Sequence, residues 1–282
     1  MESRRYLLKF YYIGRKKFHG SQRQKNFFTI EECIINALNE KNYLKDVKSS
    51  GFEVASRTDR FVSARAAVFS FITTKKPILM EINSELPKEI GIWACSKVKL
   101  DFLSRFNAIY RHYKYIVAEP LAYIQKNSNV FDLNLIRKAC KELEGQHDFK
   151  NFSKPGKEKE KTVRNMDSVK ISINNDFLVF DFKSRAFLRQ QIRRIVKKIL
   201  ELGIGEIEYD DFLKLFDVSK QFLYQPADPS GLILWDIKFD DNIKFEVDIK
   251  SKKRMETYFL NQELKSGLKK QLFRILQGDD FS

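Results

Sequence analysis

Residues 163–203, VRNMDSVKISINNDFLVFDFKSRAFLRQQIRRIVKKILELG, contain the clearest secondary-structure pattern in the chain. Apolar and polar residues alternate on both sides of the Asn-Asn-Asp sequence at 174–176, which predicts a β-hairpin with strands at 163–173 and 177–184. Apolar residues then recur at helical spacing over 187–202 and stop before a glycine, which predicts an amphipathic helix packed through one face.

The predicted helix is strongly basic, with Arg189, Arg193 and Lys197 in a stripe at four-residue spacing. Residues 183–198 contain seven basic residues and no acidic one, and residues 4–25 contain eight and none. A charge run is most often a solvated surface, but two acid-free tracts of this length favour a binding role. The whole chain has 52 Lys and Arg against 37 Asp and Glu, a net charge of +15. This excess favours a polyanionic partner, and nucleic acid ahead of a membrane surface.

The other predicted elements mix strands and helices without a regular strand-helix-strand rhythm. Strands are predicted at 5–13, 65–73, 96–103, 109–118 and 231–239. Helices are predicted from Thr29, where Thr-Ile-Glu-Glu supplies a hydroxyl cap, at 132–143, 206–217 and 257–276, and as a turn near Leu86-Pro87. This order predicts an α+β fold with a mostly antiparallel sheet. Residues 154–161, KPGKEKEK, are predicted to form a flexible loop.

Composition excludes several classes of protein. With 282 residues, 43% of them hydrophobic, and 25 Phe, the chain is long enough for one large domain or two modest ones. No run approaches 18 apolar residues, and the N-terminal residues lack a secretory leader pattern, so we expect a soluble, cytoplasmic protein. The three cysteines, Cys33, Cys95 and Cys140, stand apart in unlike contexts, so we expect buried free thiols and no metal site.

The candidate for chemistry is the segment 55–64, ASRTDRFVSA, which lies between two predicted strands. Taken alone, its Thr-Asp pair is most often a turn or a helix cap. The chain, however, resembles the tRNA pseudouridine synthases of the TruA type, whose corresponding loop has a Gly-Arg-Thr-Asp-x-Gly-Val pattern. Arg57-Thr58-Asp59, with Val62 and Ala64, match that loop.

Further blocks that resemble this family follow in the same order along residues 6–239. They are Tyr11–Gln24 with Thr29 and Glu32, Phe102–Ala108, Arg111–Ile116, Gly145–Phe149 with Phe152, Phe187–Val196, and Pro229–Leu232. Each block is a weak signal alone, but their shared order is specific.

The resemblance implies roles for three residues in an isomerisation that detaches uracil at N1 and rejoins it through C5. Asp59 is the implied catalytic nucleophile, since a carboxylate can trap or stabilise an electron-poor sugar carbon. Tyr113 is implied to stack on the target uracil and assist removal of the C5 proton. Because Tyr115 shares a strand face with Tyr113, spacing alone cannot separate the two. Arg193 is implied to pair with the aspartate, although it could also be a simple phosphate contact.

The resemblance also implies tRNA as the partner, with bacterial members modifying uridines 38 to 40 of the anticodon stem-loop. Arg57 is implied to enter the RNA stack and help displace the target base, or else to contact phosphate. RNA contacts are expected from the basic tracts and matched blocks, at Arg57, Arg15, Arg23, Arg105, Arg189 and Lys197. No cofactor and no metal are expected, and a homodimer is implied.

The implied fold has two ferredoxin-like-derived α+β halves that share a mostly antiparallel mixed sheet flanked by helices, with the active-site cleft between them. The halves are expected at 1–105 and 106–240, followed by an extension of unassigned role at 241–282. Two other functions remain open: a non-catalytic RNA-binding protein on the same fold, and a glycosylase that releases free uracil.

The chain departs from the family pattern around its candidate site. Arg60-Phe61 replaces small residues, Ser63 replaces a histidine, Ser21 replaces a tryptophan, and Gln190-Gln191 replaces bulkier residues. The three residues implied in the reaction are retained, so these departures bear on which nucleotide is chosen.

Overall fold

The computed structural model describes residues 2–156 and 161–278, so residues 157–160 of the predicted loop lie outside it. The strands are β1 Arg4–Tyr12, β2 Glu53–Val54, β3 Ser63–Thr73, β4 Ile90–Val98, β5 Tyr110–Pro120, β6 Gly145–Asp148, β7 Val163–Asn174, β8 Phe177–Ser184, β9 Leu232–Lys238 and β10 Glu246–Val247. The α-helices are α1 Ile30–Glu40, α2 Leu79–Ser84, α3 Leu121–Asn127, α4 Leu133–Glu142, α5 Gln191–Gly203, α6 Tyr209–Lys214 and α7 Ile249–Leu276.

All these strands belong to one open sheet, in the order β10-β4-β1-β3-β9-β5-β8-β7-β6, with β2 paired to β3. Adjacent strands are antiparallel except β3 and β9, which pair in parallel at Ser63–Ile233 and Ala64–Leu234. The predicted α+β fold with a mostly antiparallel sheet is therefore confirmed. The parallel pair places the loops that precede β3 and β9 at the same edge of the sheet, and the candidate loop 55–62 is one of them.

The predicted hairpin and the predicted cap of the first helix are confirmed, and the cysteine prediction is confirmed for two of the three residues. Asn175 and Asp176 adopt left-handed φ values of 48° and 69°, the combination that a two-residue hairpin turn between β7 and β8 requires. Thr29 caps α1 through its side-chain oxygen, which accepts a hydrogen bond from the Glu32 backbone N–H at 3.3 Å. Cys33 and Cys140 are buried free thiols as expected, whereas Cys95 is only partly buried.

Four predicted elements differ from the structure in position, two of them a strand and a short helix in the first half. The strand predicted at 96–103 is β4, whose pairing with β1 ends at Val98 opposite Arg5, because the chain then bends into a turn at Lys99–Phe102. The helix near Leu86-Pro87 is instead α2, which lies upstream of it.

The basic helix α5 begins at Gln191 rather than at 187. Gln190 has a left-handed φ of 61°, which interrupts the helical backbone before that point. The C-terminal helix α7 begins at Ile249 rather than at 257, because Asp248 accepts a hydrogen bond from the Ser251 N–H at 2.7 Å and caps it. The terminal helix therefore packs against β4 and α2 through its first turns.

Within the described ranges, every helix is too short or too polar to cross a lipid bilayer.

Candidate active site

An open cleft of about 1530 Å³ lies where three segments meet. The loop that precedes β3 supplies residues 55–60, and the segment from the end of β8 into α5 supplies residues 184–193. The start of β5 and its preceding loop supply Arg105, Phe106, Ile109, Arg111 and Tyr113. These segments are distant in sequence and come together through the central β3–β9–β5 pairing.

Asp59 and Arg193 form an ion pair inside this cleft. The Arg193 Nη1 donates to Asp59 Oδ2 at 3.0 Å, and its Nε donates to the backbone oxygen of Ala227 at 2.7 Å. The Arg193 side chain is 10% exposed and that of Asp59 is 35% exposed. Two separate nitrogens therefore hold the guanidinium in place, while the carboxylate stays open to a ligand in the cleft.

The backbone beside Asp59 is held by Thr58. The Ser21 Oγ accepts from the Thr58 N–H at 2.7 Å, the Ser21 N–H donates to the Thr58 carbonyl at 3.2 Å, and the Thr58 hydroxyl bonds with the Tyr12 hydroxyl at 2.6 Å. The resemblance drawn from the sequence implies a tryptophan at this position, whereas Ser21 here supplies a polar clamp.

A sharp turn after Asp59 aims its side chain into the cleft. The Val62 N–H donates to the Asp59 carbonyl at 3.3 Å, and Phe61 between them has a left-handed φ of 69°. A bulky residue rarely adopts this conformation, and the family pattern has a small residue here. Gly14 lies against the turn, where a Cβ would come within 2.1 Å of the Phe61 oxygen, so no larger residue fits.

Tyr113 is buried at the base of the cleft. Its hydroxyl lies 2.9 Å from the Ser56 Oγ, and its ring meets Phe187 edge to face at 5.2 Å. Burial raises the pKa of Tyr113 above its ordinary value, although the hydrogen bond between its hydroxyl and that of Ser56 works in the opposite direction. The phenol is therefore neutral at physiological pH.

The structure separates the two tyrosines that spacing left open. The Tyr115 hydroxyl donates to the Asp228 carbonyl at 2.9 Å, which ties it to the segment before β9. Tyr115 does not contribute to the cleft walls, whereas Tyr113 does.

Arg111 connects the walls of the cleft, and sequence analysis did not assign it a role. Its guanidinium donates to the backbone oxygens of Ala55 at 2.8 Å and Arg105 at 2.6 Å, and also to that of Arg185. Arg111 lies on the same face of β5 as Tyr113, and a buried arginine there needs carbonyl partners. The two-residue alternation of β5 could therefore have indicated from the sequence that Arg111 is buried beside Tyr113.

The cleft is strongly cationic. Among the described residues its walls contain eight arginines and four acids. The arginines are Arg57, Arg60, Arg105, Arg111, Arg164, Arg185, Arg189 and Arg193, and the acids are Glu31, Glu53, Asp59 and Asp167. Such a surface suits a polyanion. Within the part of the chain that the structure describes, no group of three His, Cys, Asp or Glu side chains is placed to hold a metal ion.

Not all the predicted RNA contacts lie in the cleft. Arg57, Arg105 and Arg189 line it, but Arg15, Arg23 and Lys197 do not. Arg15 instead donates to the Gln262 side chain on α7 at 2.7 Å, and Lys197 pairs with Glu201 at 3.1 Å. These outer residues would have to act at a surface beyond the cleft.

Comparison with known proteins finds relatives along nearly the whole chain. A sequence model of the family described as tRNA pseudouridine synthase matches residues 139–240. The chain is 34% identical to the tRNA pseudouridine synthase A of Archaeoglobus fulgidus over 99% of both chains. It is 34% identical to that of Methanosphaera stadtmanae over 92% of both chains. It is also 32% identical to that of Methanothermobacter thermautotrophicus, over 93% of this chain and 90% of the relative. With identity of this extent along nearly its whole length, the chain belongs to the tRNA pseudouridine synthase A family.

Proposed function

We propose that this protein isomerises uridine to pseudouridine in tRNA, with Asp59 as the catalytic nucleophile. The observation that carries the proposal is the partly exposed Asp59 carboxylate, held by Arg193 at 3.0 Å in an arginine-lined cleft. Phosphate binding alone does not account for a partly exposed acid that pairs with one of the cleft arginines, because the acid repels phosphate and neutralises that arginine. Membership of the family supports the same reaction.

In the proposed reaction the carboxylate of Asp59 attacks or stabilises the ribose C1′ as the bond to uracil N1 breaks. The uracil turns within the cleft, its C5 bonds to C1′ and displaces the Asp59 carboxylate, and the proton lost from C5 is balanced by one gained at N1. Tyr113 is placed to contact the uracil ring, and its hydroxyl relays the C5 proton: it takes up that proton as it passes its own through the Ser56 hydroxyl to water in the cleft. The atoms of the nucleotide are conserved, so the reaction needs no external reagent.

We propose the anticodon stem-loop, at positions 38 to 40, as the target. A uridine in a stem must leave the base stack before its C1′ can reach a carboxylate in a cleft. Arg57 lies two residues from Asp59 and lines the cleft, which supports its proposed role in displacing the base.

The decisive experiment is to map pseudouridine in tRNA from cells with and without the gene, and to repeat the conversion with purified protein. Loss of pseudouridine at one or more of positions 38 to 40 supports the full proposal. Loss at another position corrects the target only. Binding without conversion would favour a non-catalytic RNA-binding protein, and release of free uracil would favour a glycosylase.

The cleft arginines are expected to set the salt dependence of tRNA binding. Replacing Arg105 and Arg189 together by Gln should lower affinity and reduce the slope of log affinity against log salt by roughly 0.7 to 0.9 per lost phosphate contact. Replacing Lys197 and Lys198 should have a smaller effect, because both pair with Glu201. Filter binding across a salt series measures the slope, with Lys214→Gln on α6 as the control. If the salt slope of the Arg105 and Arg189 double variant is unchanged, the RNA does not contact these two arginines and binds outside this part of the cleft.

We further propose the division into halves at 1–105 and 106–240, and action as a cytoplasmic homodimer. The pairing of β3, from the first half, with β9, from the second, joins the two halves into one sheet and supports this division. Sedimentation of the purified protein, with and without tRNA, tests the dimer.

A further inference from the structure

Phe106 is an exposed aromatic ring on the wall of the cleft. Its side chain is 65% exposed, and Ile109 beside it is 51% exposed. Both residues line the cleft, whereas Leu103, exposed on the same loop, does not. Single apolar residues on a surface are ordinary, so exposure alone does not assign a role. The way in which this loop is held supplies the further evidence.

Hydrogen bonds within the loop fix the backbone that carries Phe106. The Asn107 Oδ1 accepts from the Leu103 N–H at 2.8 Å, and the Leu103 carbonyl accepts from the N–H groups of Asn107 at 2.9 Å and Phe106 at 3.1 Å. The ring is therefore presented by a defined turn rather than by an unconstrained segment.

The loop is also anchored to the elements that carry the candidate catalytic residues. The Glu53 carboxylate accepts from the buried Ser104 hydroxyl at 2.8 Å and from the Arg105 N–H at 3.2 Å. Arg111 bonds to the Arg105 carbonyl on this loop and to the Ala55 carbonyl in the loop that bears Asp59. These contacts hold the backbone that carries Phe106 at a set position relative to the loop that bears Asp59.

The surroundings of the ring suit a planar group joined to a phosphate. The Arg105 guanidinium carbon lies 5.9 Å from the ring centroid, at the outer limit of a cation–π contact, and most of the ring stays open. The arginines around the cleft favour an anionic backbone. A flat apolar face beside a cationic groove is the arrangement with which proteins stack the bases of single-stranded nucleic acid.

We propose that Phe106 is a stacking platform for a second nucleobase, one that neighbours the target uridine in the bound RNA. The inference rests on the proposed function, because it takes the RNA in the cleft as substrate. The platform holds the strand on one side of the target while the uridine itself turns towards Asp59. Phe106 is thus a positioning residue, and it does not touch the reacting atoms.

The test is a double-mutant cycle between the protein and the RNA, read by binding of the Asp59→Asn protein to a tRNA transcript. Phe106→Ala is expected to weaken binding by about five- to hundredfold, the range for loss of one stacked base. Phe106→Tyr should bind within about twofold of the parent, since it keeps the ring face. Phe106→Leu should resemble Phe106→Ala, which separates stacking from general apolar contact.

The RNA side of the cycle uses a set of transcripts, each with one abasic site. The abasic site lies at the first or second nucleotide before the target uridine, or at the first or second nucleotide after it. At one of these positions the abasic site should weaken binding to the parent but not to the Phe106→Ala protein. Leu103→Ala is the matched control and should keep both the affinity and the sensitivity to the abasic site. Thermal melting checks that each variant is folded.

If the loss of affinity caused by Phe106→Ala and the loss caused by the abasic site simply add at every position, the proposal is overturned. A change of oligomeric state in Phe106→Ala with no loss of RNA binding would also overturn it. Turnover by the unaltered enzyme on the same transcripts is measured separately. Conversion without coupling would refute only the platform, whereas coupling without conversion would support the platform and count against the proposed reaction.

Discussion

Asp59→Asn is expected to abolish conversion of uridine, by roughly 10³-fold or more, while tRNA affinity stays the same or becomes slightly tighter. The amide keeps the shape of the side chain and can still accept the hydrogen bond from Arg193, so the loop should stay in place. It carries no charge, and so it cannot attack or stabilise an electron-poor sugar carbon. Affinity should not fall, because the substitution removes a negative charge from a cleft that binds a polyanion.

Single-turnover conversion of a tRNA transcript, together with filter binding, measures both parts of this prediction. Asp167→Asn is a matched control, because Asp167 also lines the cleft and undergoes the same chemical change without contact to Arg193. It should retain conversion. Conversion by Asp59→Asn protein would show that another group is the nucleophile, and loss of the cooperative melting transition would show that Asp59 supports the fold.

Arg193→Leu is expected to lower the single-turnover rate at saturating tRNA by roughly 10- to 150-fold, equivalent to about 1.5–3 kcal/mol for a hydrogen bond to a charged group. The substitution removes the donor to Asp59 and leaves the Ala227 carbonyl without its side-chain partner. Because Asp59 is 35% exposed, water replaces part of the lost interaction and limits the effect.

Arg193→Lys should show an intermediate rate, since the ammonium restores charge but cannot reproduce two bonds from separate nitrogens of a planar group. Arg189→Leu is the control in the same cleft, and it should lose affinity with little change in the rate at saturation. If Arg193→Leu also lost only affinity, Arg193 would be a phosphate contact and the ion pair would have no part in the reaction.

Local signals in the sequence were sufficient for the hairpin and for the first helix. The Asn-Asn-Asp turn contains the residues that accept positive φ, and the Thr29 hydroxyl caps a backbone group only three residues away. The limits of β4 and α5 could not be predicted this way. The first depends on where the pairing of β4 with β1 ends, at Val98 and Arg5, and the second on the left-handed backbone at Gln190.

The sequence by itself determined the class of fold, the basic character of the chain and, through ordered motifs, the candidate residues Asp59, Tyr113 and Arg193. The sequence does not reveal the residues that support the site through hydrogen bonds to distant segments. The clamp of Ser21 on Thr58, the Ser56 bond to Tyr113 and the carbonyl contacts of Arg111 each join distant segments.

Only the tertiary structure decided how these residues meet. Asp59 and Arg193 are 134 positions apart in sequence, and they come within 3.0 Å because β3 and β9 pair in parallel at the centre of the sheet. Tyr113 and Tyr115 share a strand face in sequence, but the bond from Tyr115 to the Asp228 carbonyl leaves Tyr113 alone in the cleft. Periodicity reports which side of an element faces the core, whereas long-range strand pairing sets which side chains become neighbours.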